Sequence, residues 1–69
     1  LVIMSNSLFV VVGTDKESNE QIEYQYSNLS HAMGTYNMLQ KDSNIINLNV
    51  LEYDTLTKEY HMVDIIGIV

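Results

Sequence analysis

Hydrophobic and polar positions change their period several times along the chain, and each change marks an element. Leu8-Phe9-Val10-Val11-Val12 is a β-branched run closed by Gly13-Thr14-Asp15, which predicts a strand apolar on both faces and therefore central in its sheet. Lys16 to Asn19 is polar and makes a turn. From Gln21 the pattern alternates strictly, with Ile22, Tyr24 and Tyr26 on one face and Gln21, Glu23 and Gln25 on the other, as in a strand with one wet face. The two runs are close in sequence, so an antiparallel hairpin is the simplest pairing.

Ser27, Asn28 and Ser30 offer three N-cap side chains ahead of Leu29, Ala32, Met33, Tyr36 and Leu39, which recur at helical spacing. Intrinsic propensity there is poor, and Gly34 costs about 1 kcal/mol against Ala. Packing must hold this helix, and Gly34 beside Met33 is expected to let it approach the sheet closely, with a kink at that point as the alternative. Lys41 suits the negative end of the helix dipole. A further strand is expected from about Ile45 to Tyr53, with Ile46, Leu48 and Val50 on one face against Asn47 and Asn49. Asp54 to Lys58 turns, and Glu59 to Ile66 forms a last strand, with Tyr60 and Met62 opposite His61, Val63 and Ile65. Asp64 falls in line with Met62, which implies either a bulge near Val63 or an edge strand.

The pattern therefore predicts an α+β fold of order β-β-α-β-β over residues 1–69 as one small domain: a four-stranded, mainly antiparallel sheet with one helix on one face. A helix of this length spans roughly 20 Å and covers one face only. Phe9, Val11, Leu51 and Tyr53 are expected on the other, an apolar area that a monomer would expose, and the apolar ends Leu1 to Met4 and Ile65 to Val69 add to it.

Composition narrows the function classes. The 69 residues hold nine Asp and Glu against three Lys, with no Arg, Cys, Pro or Trp, and the net charge is -6. That is too acidic for a nucleic-acid binder that neutralises phosphates, and at 46% hydrophobic too apolar for a disordered chain. Disulfides and thiolate metal sites are absent, so self-association, most simply a homodimer, is the expected support for a core this small. No run approaches the roughly 18 apolar residues of a membrane span, Leu1 to Met4 makes no signal peptide, and a cytoplasmic location is the default. The Asn, Lys and Tyr usage without Arg or Pro is what AT-rich codons produce, as in a low-GC bacterium or its phages.

No constellation for catalysis, a metal or a cofactor is present. His31 and His61 have the ordinary pKa for acid–base work, but no nucleophile or motif accompanies them, and an enzyme is not expected. Asp15-Lys16-Glu17-Ser18-Asn19-Glu20 has oxygens at alternate positions like a calcium loop but lacks the sixth-position Gly and twelfth-position Glu. Tyr24, Tyr26, Tyr53 and Tyr60 suit cross-strand packing better than base stacking, because there is no basic groove beside them. Asn28-Leu29-Ser30 matches a glycosylation sequon and reads as a helix cap.

Three features point to a protein partner. The predicted helix carries no acid, Lys or Arg, leaving a neutral outer face of Ser30, His31, Thr35, Asn37, Met38 and Gln40, as in interface cores. Leu51 and Tyr53 lie on the uncovered sheet face. The acids Asp15, Glu17, Glu20 and Glu23 gather at the first turn and Glu52, Asp54 and Glu59 at the second; with both turns at one end they could imitate spaced phosphates, although acids at turns also serve solubility alone. Glu17, Glu20, Glu23, His31, Leu51 and Tyr53 are the candidate partner-binding residues.

The alternating Ile22-Glu23-Tyr24-Gln25-Tyr26 strand, the Ser27 to Ser30 cap, the helix and the strand that follows it resemble the small acidic phage proteins that inhibit uracil-DNA glycosylase. This resemblance of pattern and size covers about residues 8 to 53. It implies a protein that occupies the DNA-binding cleft of an enzyme. The helix start here reads Ser30-His31-Ala32-Met33 where that family carries an acidic and an aromatic residue, so the resemblance extends to phage-encoded inhibitors as a class, anti-CRISPR proteins included. The function expected is a non-enzymatic, protein-binding inhibitor of a host nucleic-acid-acting or defence protein, acting by acidic DNA mimicry without direct contact to nucleic acid or membrane; the alternative is a structural or accessory homo-oligomer with no foreign target.

Overall fold

The computed structural model describes residues 7–63, in the order β1 (Ser7–Asp15), β2 (Gln21–Tyr26), α1 (Leu29–Gln40), β3 (Ile45–Asp54) and β4 (Glu59–Met62). The strands form one sheet of order β2-β1-β3-β4, antiparallel throughout, and α1 packs across β1, β2 and β3. The α+β, β-β-α-β-β architecture expected from the sequence is the one observed, with β1 central and β4 at an edge. The apolar ends Leu1 to Met4 and Ile65 to Val69, and the position of Asp64, lie outside the described residues.

Asn28 is the cap among the three candidates: its Oδ1 accepts the Ser30 N–H at 2.7 Å, which satisfies one of the free donors at the helix start. From there Ala32 and Met33 turn onto Val11 and Val50, and these four are the buried cluster. Phe9, Tyr26, Leu29, Tyr36, Leu39, Leu48 and Val63 pack around it. Side chains alternate across a strand, so Val11 fixes Phe9 on the helix side as well. The expectation that Phe9 and Val11 lie on the uncovered face is thus corrected. A run apolar on both faces gives no parity signal, and pairing with β3 decides: Val11 stands opposite Val50, while Val10 stands opposite Leu51.

A second correction concerns Ile46. Val12 pairs with Asn49 but Thr14 pairs with Ile46, so Gly13 faces one residue too many on β3. Asn47 takes up the extra residue with φ 55, a left-handed conformation that Asn adopts more readily than most side chains. The bulge reverses the alternation: Leu48 and Val50 stay under the helix, and Ile46 moves to the uncovered face, 42% exposed. Gly13 fits the crowding there, since a Cβ would meet Ile45 Cγ2 at 3.0 Å and Leu48 Cδ1 at 3.3 Å.

Gly34 does not bring the helix onto the sheet. It is exposed, and a Cβ would have nothing within 4 Å. Thr35, expected on the outer face, instead turns inward and shares a hydrogen bond with the Tyr26 hydroxyl. Lys58 also sits in left-handed space, at φ 60, where a side chain other than Gly or Asn is strained. Gly34→Ala is therefore expected to stabilise the fold by about 1 kcal/mol, and Lys58→Gly by about 1 kcal/mol, each read as a higher urea midpoint at unchanged slope. A loss of stability in Gly34→Ala would mean that the helix does need close approach at that point.

Candidate functional site

Position along the strands sorts the candidate residues. Leu8, Val10, Val12 and Thr14 of β1 project from the face opposite α1. Pairing puts Tyr53 and Tyr60 in one row with Leu8, and Leu51 and Met62 in the next with Val10 and Gln25. Cross-strand neighbours in such rows touch directly, and the Tyr53 and Tyr60 rings do so, with centroids 4.6 Å apart and planes at 45°. The result is a strip two rows deep across three strands, from sealed to bare: Val10 is 2% exposed, Leu8, Leu51 and Tyr53 are half-buried, Tyr60 is 59% exposed and Met62 66%. No helix or strand of the described residues covers it.

Towards the other end the same face turns polar. Val12 stands between Asn49 and Glu23, and Thr14 between Ile46 and Gln21. The bulge opens a shallow groove of about 360 Å³ there, lined by Val12, Gly13, Thr14, Gln21, Asn47 and Leu51. None of those side chains titrates.

Of the residues singled out in the sequence, Leu51 and Tyr53 are neighbours on this strip. Glu23 shares the face but lies two strands away on β2. Glu17 and Glu20 sit in the exposed β1–β2 turn, and His31 is exposed on α1, on the opposite side of the sheet. The structure does not bring the six together. Pairing also corrects the placement of the acids: Asp15 stands opposite Ile45 while Ser7 stands opposite Asp54, so the two turns are at opposite ends of β1, roughly 25 Å apart. Asp15, Glu17, Glu20 and Glu23 form one acidic end and Glu52, Asp54 and Glu59 the other. Tyr60 and Met62 are the functional candidates that sequence reading passed over; alternation placed them on one side of β4, but only the strand order shows that this side continues Leu51 and Tyr53.

Both turns are built by one device. Asp15 Oδ1 accepts the N–H of Glu17 at 2.9 Å and of Ser18 at 3.3 Å, and Asp54 Oδ1 accepts those of Leu56 at 2.9 Å and Thr57 at 3.3 Å. In each, the residue four further on is left-handed, Asn19 at φ 62 and Lys58 at φ 60, and its N–H returns to the Asp carbonyl at 2.7 Å. Asp15 has an additional partner across the sheet, Asn44 Nδ2 at 2.7 Å. Asp15 Oδ1, the first oxygen of the stretch that resembles a calcium loop, is thus engaged by N–H donors, and among the described residues no group of three or more His, Cys, Asp or Glu converges on a metal position. No helix of the described residues is long and apolar enough to cross a membrane.

No protein-family model matches the chain, and no curated protein and no solved structure shows a significant match to it.

The N–H groups of Ser18 and Glu17, with the Asn44 amide, hold the Asp15 carboxyl below its ordinary value of 3.8, against a smaller opposing effect of partial burial. A carboxylate with a lowered folded pKa stabilises fully above the unfolded value, and its contribution is lost as pH falls through the folded one. Asp15→Asn is expected to be less stable than the parent at neutral pH, and the difference should shrink as the pH drops below about 4. Urea midpoints at both pH values check this; a gap that stayed constant would show that the charge of Asp15 is not what the turn uses.

Proposed function

We propose that this chain is a non-enzymatic protein-binding module that inhibits a host nucleic-acid-acting or defence protein, in the manner of phage or prophage inhibitors. The observation that carries this reading is the apolar strip of Leu8, Leu51, Tyr53, Tyr60 and Met62, exposed at Tyr60 and Met62 and covered by no element of the described residues, on a sheet with an acidic turn at each end. Binding surfaces commonly combine an apolar, aromatic centre with a polar rim. Acids lie in the turns beyond both ends of the sheet, with Glu52 on the helix side opposite Phe9, and a partner that fits has an apolar patch with basic residues set further out on either side. Proteins that handle nucleic acid carry such borders to hold phosphates, so occupying one excludes the nucleic acid. Acidic mimicry takes a modified form: two acidic borders roughly 25 Å apart, with the apolar strip in between making the close contact. Catalysis has no part in this reading.

The test is retention of host proteins on the immobilised chain from a low-GC bacterial lysate, at low and at moderate salt, with Met62→Asp and the triple replacement of Glu17, Glu20 and Glu23 by Gln as comparisons. A nucleic-acid-binding protein should be held by the parent, released about tenfold more readily by Met62→Asp, and lose its salt dependence with the triple variant. Unchanged retention and salt dependence in the triple variant would sink the electrostatic half of the proposal. Recovery of the chain alone would favour a homo-oligomer that uses the strip for its own assembly.

A further inference from the structure

Edge strands with free backbone groups are normally blunted by charged side chains, Pro, a bulge or brevity. β2 carries a single charge, Glu23, and none of the other devices. It runs six residues as Gln21-Ile22-Glu23-Tyr24-Gln25-Tyr26, and its pairing with β1 continues from Phe9–Tyr26 to Thr14–Gln21 without a break. Among the described residues no strand pairs with its outer edge. We infer that β2 pairs antiparallel with β2 of a second copy of this chain, about a two-fold axis at Tyr24, giving a continuous eight-stranded sheet.

The register follows from the backbone. The Asp15 N–H donates to the Glu20 carbonyl at 2.8 Å, and hydrogen-bonded pairs alternate along an antiparallel ladder. Ile22, Tyr24 and Tyr26 therefore bond inward to β1, and Gln21, Glu23 and Gln25 direct their N–H and C=O groups outward. A two-fold axis perpendicular to the sheet keeps helix-side residues opposite helix-side residues. Centred on Tyr24, it sets Tyr24 against Tyr24, Ile22 against Tyr26, and Glu23 against Gln25 of the other copy, with Glu23 and Gln25 forming the hydrogen-bonded pairs. Aromatic and β-branched partners of this kind are favourable across strands. Centring on Glu23 would place two carboxylates face to face, which is destabilising; the charge selects the Tyr24 register. Tyr24 is 45% exposed in the single chain and becomes the middle of the joint.

Charge supports the same partner. Two residues beyond each end of the paired segment, Glu20 of one copy comes opposite Asn28 of the other, the N-cap of α1. The first turn of α1 has no acid of its own, so the positive end of its dipole lacks the usual negative neighbour. The second copy supplies one, and by symmetry does so twice.

The chain has no Cys, so Tyr24→Cys introduces a single thiol. Opposed residues in a non-hydrogen-bonded pair have Cα atoms about 4.5 Å apart, within disulfide reach. Sedimentation equilibrium should show a dimer for the parent. Tyr24→Cys should form a covalent dimer under mild oxidation, and Tyr53→Cys on the sheet face should not. Tyr24→Lys, folded by circular dichroism, should dissociate at least about tenfold more readily, because two ammonium groups would then meet at the axis. A monomeric parent at about 100 µM, well above micromolar dissociation constants, overturns the proposal, as does a dimer that crosslinks through Tyr53→Cys in preference to Tyr24→Cys.

Discussion

The contact of Ala32 and Met33 with Val11 and Val50 is the constraint on which the remaining structure depends. Met33 is 8% exposed and the other three are fully buried. A chain of this size buries only about 60% of its unfolded surface, so little else is available to fix the layers. The helix has poor intrinsic propensity and a solvent-facing Gly34, and it exists because this contact fastens it. Val11 and Val50 are also paired with each other across β1 and β3. The same few side chains therefore hold helix to sheet and the two halves of the sheet together, and Ala32, with no exposed surface, leaves no room for a larger residue without strain.

The element order, the turns, the helix cap and the inner helix face were legible in the sequence because each is encoded locally, by period, by capping chemistry or by turn residues. Faces were less legible. β1 is apolar on both sides, so alternation along it carries no information, and Phe9 and Val11 are placed by partners that arrive after the helix. Ile46 was misplaced by a single left-handed residue, since one extra position at Asn47 inverts a strand and alternation only becomes visible again beyond it. Leu51 and Tyr53 were identified correctly as neighbours on one surface, but its continuation to Tyr60 and Met62 needs the strand order. The acidic ends were separated by the same information: each cluster is visible as a run, whereas the distance between runs is a property of how β1 and β3 pair.

The two hairpins close with one arrangement on different residues, Asp15 with Asn19 and Asp54 with Lys58. That economy shapes the surface. An Asp is required at the end of each strand to hold the turn, and the acids beside it extend a negative region that the turn itself begins. Part of the charge at each end is thus structural, and Asp15 belongs to the fold before it belongs to any interface.

The position of β1 has a consequence for how the domain is made. Synthesis delivers β1, β2 and α1 before β3, so the most apolar strand acquires one neighbour early and waits for the other until the chain beyond the helix has emerged. During that interval the side of β1 destined for β3 is bare, and Leu8 to Val12 offers an unpaired, β-branched template to any extended segment nearby. Pairing that must bridge a helix is slower than closing a hairpin. Until β3 docks, that bare edge is where the growing chain is most open to mispairing, an exposure that the finished fold no longer shows.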